Sequence, residues 1–326
     1  MSSSMNSAIL YLSGDDVRSL NISPAQARDA VREAFERHFD GKSQSLKKAS
    51  LALGPGHGFQ TMVAADAGAG IATVKWVAMA QVEPNSKRAG INGVICVSDY
   101  TTGEPVALMD GNEITLIRTA ALSSVAASLM VTEPPKSIGM IGCGMQAVAH
   151  LDAFRDLFPS LAHVYAFSKR KSSSDKFVDT ARDTGLTGEA TDSPEPVLEN
   201  SDIIITMVPG GPGLVPFLDA NRLKSEVFVS AVDLGRSWIP ESFPAFQFLA
   251  TDSLTQGRAP FDINGEPVNT AKFHTDLTGL AGEKPAPVAG RKLFCFKGYA
   301  LADLALANLV LKLAKEQGGV GVELSR

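Results

Sequence analysis

Residues 137–147, SIGMIGCGMQA, constrain this chain more than any other segment. A short apolar run is followed by Gly142-Cys143-Gly144-Met145-Gln146-Ala147 and then by a stretch with helical spacing that carries Ala149 and Phe154. This is G-x-G-x-x-A set between a strand and a helix. The first glycine permits a tight turn, the second lets the backbone approach a pyrophosphate, and the small Ala147 lets helix pack on strand. The start of the helix then faces the phosphates.

Downstream, HVYAFS, SDKFVDTARDT, DIIITMV and EVFVSAV continue the alternation of strand and helix patterns. Such alternation predicts an α/β fold with a Rossmann-type, doubly wound parallel sheet and right-handed crossovers. The upstream half has a different texture. Ser23-Pro24 opens a helix with Ala27, Val31, Ala34 and Phe35 on one stripe, and short β-rich runs between residues 50 and 108 predict an antiparallel sheet. Residues 114–130 predict a helix that ends before Pro134-Pro135. The apolar helix at 299–317 needs a surface to cover and is expected to return to the first domain. The 326 residues, 44% of them hydrophobic, suffice for two domains. These are a Rossmann dinucleotide-binding domain at 132–290 and an α+β substrate-binding and dimerisation domain made of 1–131 with 291–326.

A net charge of −5 leaves no excess of cations for nucleic acid, and neither an export-type leader nor a run of about 18 apolar residues is present. No membrane partner and a cytoplasmic location are expected. Cys96, Cys143 and Cys295 are odd in number and far apart, as for free thiols, and five scattered histidines lack metal-ligand spacing. No metal is expected.

The choice of nicotinamide cofactor belongs to the end of the second dinucleotide-domain strand, where an acidic side chain would bind a ribose 2′-hydroxyl. Here stand Ser168, Lys169, Arg170 and Lys171, a hydroxyl and three cations suited to a 2′-phosphate. NADP(H) is the preferred cofactor and NAD(H) a possible one; the alternative is a solvated charged loop. The expected cofactor contacts are Thr119, Gly142, Gly144, Met145, Gln146, Ala147, Ser168, Lys169, Arg170, Met207 and Val208.

Lys75 and Arg118 sit in otherwise apolar segments, where an unpaired buried cation is costly, so each needs an anionic partner. That partner is a ligand, or an internal acid such as Asp110 or Glu113. Trp76 and Trp238 read as packing residues, and Cys143 as an unconstrained loop position.

Residues 101–127, TTGEPVALMDGNEITLIRTAALSSVAA, with the downstream G-x-G-x-Q-A, Met62, Thr73-x-Lys75, Phe294, Gly298, Ala300 and Asp303, resemble the ornithine cyclodeaminase/mu-crystallin family over about residues 45–312. The resemblance implies a homodimer with the active site in the cleft between its domains. It also implies that a basic trio of Lys75, Arg118 and one of Lys47 and Lys48, with Lys48 favoured, holds a substrate α-carboxylate. Lys75 and Arg118 are then the catalytic pair; the alternative role for Lys75, a lysine whose pKa neighbouring cations lower, is to donate a proton to the substrate nitrogen. The family's cyclodeaminases carry an aspartate where Gly235 stands here, and Asp233 substitutes only if the loop DLGRSW takes a different path. The resemblance therefore favours NAD(P)H-dependent reduction of a small cyclic imino acid of the Δ1-pyrroline-2-carboxylate or Δ1-piperideine-2-carboxylate type. The alternatives are amino acid dehydrogenation, a lyase such as ornithine cyclodeaminase or hydroxyproline dehydratase, and a non-enzymatic dinucleotide-dependent binding protein.

Overall fold

The computed structural model describes residues 8–52, 54, 57–80, 89–210, 213–257 and 271–325; the first seven, read above for an export-type leader, lie outside this set. In chain order the elements are β1 (Ile9–Leu12), α1 (Gly14–Ser19), α2 (Pro24–Phe39), β2 (Ser43–Ser45), β3 (Ala49–Ala52), β4 (Gly58–Asp66), β5 (Ile71–Met79), β6 (Ile91–Asp99), β7 (Pro105–Asp110) and α3 (Gly111–Met130). There follow β8 (Ser137–Ile141), α4 (Met145–Leu157), β9 (His163–Phe167), α5 (Lys171–Asp183), β10 (Thr187–Ala190), α6 (Glu195–Asn200), β11 (Ile203–Thr206) and β12 (Val227–Ala231). The chain closes with β13 (Phe248–Thr251), α7 (Leu254–Gly257), β14 (Thr275–Asp276), α8 (Leu277–Glu283), β15 (Arg291–Cys295), α9 (Ala300–Gln317) and β16 (Val322–Leu324).

Two compact units result, Met1–Arg118 with Tyr299–Arg326, and Thr119–Gly298. Both boundaries differ from those expected at 131/132 and 290/291. The first falls inside α3, an uninterrupted helix. The second follows β15, which pairs in parallel with β12 and β13 and so belongs to the dinucleotide sheet.

In the first unit, Ser23 caps α2 by a capping box with Gln26, as the Ser-Pro start predicts. The sheet runs β16-β1-β7-β6-β5-β4-β2, with β3 also on β4. From β2 to β7 the pairings are antiparallel, and β1 joins β7 in parallel. Strand β5 alternates strictly: Ile71, Thr73, Lys75 and Val77 are buried while Val74 and Trp76 face out. The tail helix α9 packs on α2 and over β4 and β5, bringing Tyr299 to 6.2 Å from Phe35 between ring centroids. Residues 300–307 are buried all round, which accounts for the apolar character of its first half.

The second unit holds a sheet in the order β10-β9-β8-β11-β12-β15-β13-β14, parallel throughout. The order reverses at β8, the switch point where a doubly wound sheet opens a crevice at the strands' carboxyl ends. Strands β8, β11 and β12 are buried at every residue, the pattern of a sheet covered on both faces. Helix α3 is apolar and long enough by composition to cross a membrane, yet most of it is buried inside the protein.

Candidate active site

In the first unit, the alternation of β5 turns Lys75 inward, 1% exposed, beneath α9. Its Nζ donates to Asp303 Oδ1 at 2.6 Å and to Thr115 Oγ1 of α3 at 3.1 Å. Arg118, three residues beyond Thr115 and so on the same face of α3, is 8% exposed. Its Nε lies 3.3 Å from Asp303 Oδ1, an ionic contact that does not make a hydrogen bond. Asp303 is 1% exposed in the first turn of α9, where the helix dipole favours an anion.

Burial pushes the Asp303 carboxyl up, but Lys75, Arg118 and then Lys48 outweigh it and hold it below the usual carboxylate range. Lys48 is half-buried, whereas Lys47 is exposed. Burial pushes the Lys75 ammonium down and Arg118 adds to this, so that it falls to about 8 despite the pull of Asp303. Three cations around one carboxylate leave an excess of positive charge suited to an anionic ligand.

The internal acid is therefore Asp303, not Asp110 or Glu113. The Asp110 carboxylate is committed to the start of α3, accepting from Asn112 N at 2.8 Å and Glu113 N at 3.1 Å, and Glu113 pairs with Arg18. Asp303 carried part of the resemblance but was not read as a partner. The available signal was the one used for Lys75 and Arg118, a charge set in an apolar stretch.

In the second unit, the glycines behave as the motif requires. Gly142 has φ +93°, and a Cβ there would lie 2.8 Å from Met207 O. Its N–H donates to Phe167 O at 2.9 Å, tying the turn to the end of β9. Gly144 is the N-cap of α4 and has open space where a side chain would stand. Ala147 is fully buried, Met145 is 79% exposed, and Gln146 Oε1 is buried with no hydrogen-bond partner among the described residues. An open glycine, the amino end of a 13-residue helix and an unsatisfied acceptor fit a dinucleotide.

Ser168 directly follows β9 and is half-buried, and after it come exposed Lys169 and Arg170, the latter the N-cap of α5. Lys171, read as a third cation for a 2′-phosphate, instead donates to Ala190 O at 2.6 Å and Asp192 Oδ1 at 2.8 Å. Met207 and Val208 follow β11, and Thr119 is buried in α3. The Cys143 thiol is pushed up to about 12 by burial, and Trp238 is a buried packing residue, as expected. Trp76 stacks on Phe59 at 5.6 Å but remains 41% exposed.

Asp233 is fully committed. Its Oδ1 accepts from Thr206 Oγ1 at 3.1 Å and Gly235 N at 3.1 Å, and its Oδ2 from Ser237 Oγ at 2.6 Å and Val208 N at 3.4 Å. The sequence reading also missed a buried polar chain: His150 Nδ1 to Gln146 O at 2.7 Å, His150 Nε2 to Ser123 Oγ at 3.0 Å, and Ser123 Oγ to Ser230 Oγ at 2.8 Å. Burial pushes His150 down to about 4, so it is neutral and joins α4, α3 and β12 as a structural group.

Residues 10–238 match the model of the ornithine cyclodeaminase/mu-crystallin family, well over half of the chain, and the protein belongs to that family. It is 27% identical to the alanine dehydrogenase of Archaeoglobus fulgidus over 315 residues, covering 94% of this chain and 95% of that one. It is 26% identical to the Δ1-pyrroline-2-carboxylate reductase of Bacillus cereus over 268 residues, covering 74% and 78%. The Thermococcus litoralis Δ1-pyrroline-2-carboxylate reductase, solved with NADH and L-proline, superposes with a TM-score of 0.83 at 22% identity, covering 97% of this chain and 100% of that one. At that identity the likeness is one of fold.

Proposed function

We propose that the protein is an NAD(P)H-dependent oxidoreductase that reduces the C=N bond of a small cyclic imino acid, of the Δ1-pyrroline-2-carboxylate or Δ1-piperideine-2-carboxylate type, to the L-amino acid. The observation that carries this reading is the buried Lys75–Asp303–Arg118 group, whose excess positive charge suits an α-carboxylate. Arg118, Lys75 and Lys48 hold that carboxylate and so fix the position of the adjacent imine carbon. Lys75, at about 8, is close enough to neutrality to deliver a proton to the substrate nitrogen.

Gly142, Gly144, Met145, Gln146, Ala147, Thr119, Met207 and Val208 hold the dinucleotide, which supplies the hydride when bound. Ser168, Lys169 and Arg170 give a preference for NADP(H), since no carboxylate stands at the end of β9 and neither cation has an ion pair among the described residues. Reduction is favoured over cyclodeamination because all four donors around Asp233 bind its carboxylate and Gly235 has no side chain to activate an attacking group.

The protein acts as a cytoplasmic homodimer. The outer face of the first unit's sheet supports this: Val63, Val74, Trp76 and Val94 are neighbours across β4, β5 and β6, each 36% exposed or more. An archaeal alanine dehydrogenase of the same fold was solved as a dimer with bound NAD.

Chiral product analysis tests the reading. Conversion of Δ1-pyrroline-2-carboxylate to L-proline with stoichiometric oxidation of NADPH is expected. Proline formed from ornithine with no net change in the nicotinamide would make the protein a lyase instead.

A further inference from the structure

Asp303 keeps the buried cations Lys75 and Arg118 paired, but as an anion it cannot itself bind a substrate carboxylate. The two oxygens of Asp303 are also used differently. Oδ1 faces Lys75 Nζ at 2.6 Å and Arg118 Nε at 3.3 Å, whereas Oδ2 is buried with no hydrogen-bond partner among the described residues. A buried carboxylate oxygen left without a donor is unfavourable, and such exceptions call for a specific donor.

We propose that Asp303 Oδ2 accepts the N–H of the substrate's ring nitrogen, so that the Lys75–Arg118–Asp303 group reads a carboxylate and an adjacent N–H together and rejects the corresponding oxygen compound. A protonated cyclic imine carries one N–H and the protonated product amine two, while a carbonyl or ether oxygen in that place has only lone pairs to set against the carboxylate. Lys75, Arg118 and Lys48 keep the Asp303 carboxyl ionised, so it remains an acceptor at neutral pH and the bond is charge-assisted. A site built to hydrogen-bond an N–H discriminates strongly against an analogue that lacks it, because the buried acceptor is then left bare. The inference rests on the imino acid reading and adds to it the basis on which nitrogen is chosen over oxygen.

The test is calorimetric binding, in the presence of NADP(H), of L-proline and of tetrahydrofuran-2-carboxylate of the same configuration, which replaces the ring N–H by an ether oxygen. Wild type is expected to prefer L-proline by about 100-fold or more. Asp303→Asn is expected to lower that preference by at least about tenfold while still binding the oxygen analogue through its carboxylate. Equal binding of both ligands by wild type overturns the inference with no variant needed, and so does an unchanged preference in a folded Asp303→Asn. If wild type reduces the imine yet binds both ligands alike, only the role of Asp303 fails. If it binds neither and reduces no imine, the imino acid reading fails with it.

Discussion

Lys75 Nζ and Asp303 Oδ1 lie 2.6 Å apart although 228 positions separate them, and both side chains are 2% exposed. This buried ion pair ties β5 to the first turn of α9. Removing one partner strands the other charge, so Asp303→Ala is expected to destabilise the protein by about 3–5 kcal/mol. The paired replacement Lys75→Met with Asp303→Leu should recover most of that loss. Thermal and urea unfolding of wild type and the two variants measure both, and a near-neutral Asp303→Ala would refute the pairing.

The pH profile carries a second expectation. Lys75 falls from 10.5 to about 8 on folding, mainly through burial. Between these values the unfolded chain holds a proton that the folded chain has released, so this group makes stability rise with pH across that window. Activity moves the other way. The protonated ammonium binds the carboxylate and supplies the proton, so kcat/KM should decline as pH rises through about 8. Lys75→Arg, which stays charged but cannot release a proton, should lower kcat/KM and lose that alkaline decline. A wild-type profile that stays level well above pH 8 would speak against Lys75 as the titrating group.

Gly142 and Gly144 should respond differently to a side chain. At Gly144 a Cβ meets open space, so Gly144→Val should fold with little change in Tm but weaken dinucleotide binding by about tenfold or more, its side chain occupying the pyrophosphate's place. At Gly142 a positive φ combines with a Cβ 2.8 Å from Met207 O, so Gly142→Ala should lower Tm as well. Differential scanning calorimetry beside cofactor titration separates the two.

The legible parts of this molecule were those written in local pattern. The strand, glycine turn and helix around residues 137–157, the capped α2 and the alternation of β5 were all readable because each is specified by residues a few positions apart. What escaped depended on distant partners. Asp303 looked like one acid in an apolar helix until α9 brought it to Lys75, and Lys171 looked free until Asp192 came round from the end of β10. Strand β10, TGEA, lacks an apolar pattern because it is an edge strand, and β15 was taken into the tail because sequence does not show that it pairs with β12.

Cofactor preference supplies a fourth expectation. Placing a carboxylate at the end of β9 with Ser168→Asp should repel a 2′-phosphate and offer an acceptor to a 2′-hydroxyl. NADPH affinity is expected to fall by about tenfold or more while NADH affinity holds or rises. Arg170→Ala should weaken NADPH alone. Fluorescence titration with both cofactors checks this, and equal effects on the two would assign Ser168 and Arg170 to a solvated loop.

The central claim is imine reduction, and the direct measurement is the near-ultraviolet absorbance of NADPH, with NADH in parallel, on adding Δ1-pyrroline-2-carboxylate or Δ1-piperideine-2-carboxylate. The account predicts imine-dependent loss of absorbance, faster with NADPH and abolished in Arg118→Ala. No loss with either imine, in protein shown to bind the cofactor, would contradict it.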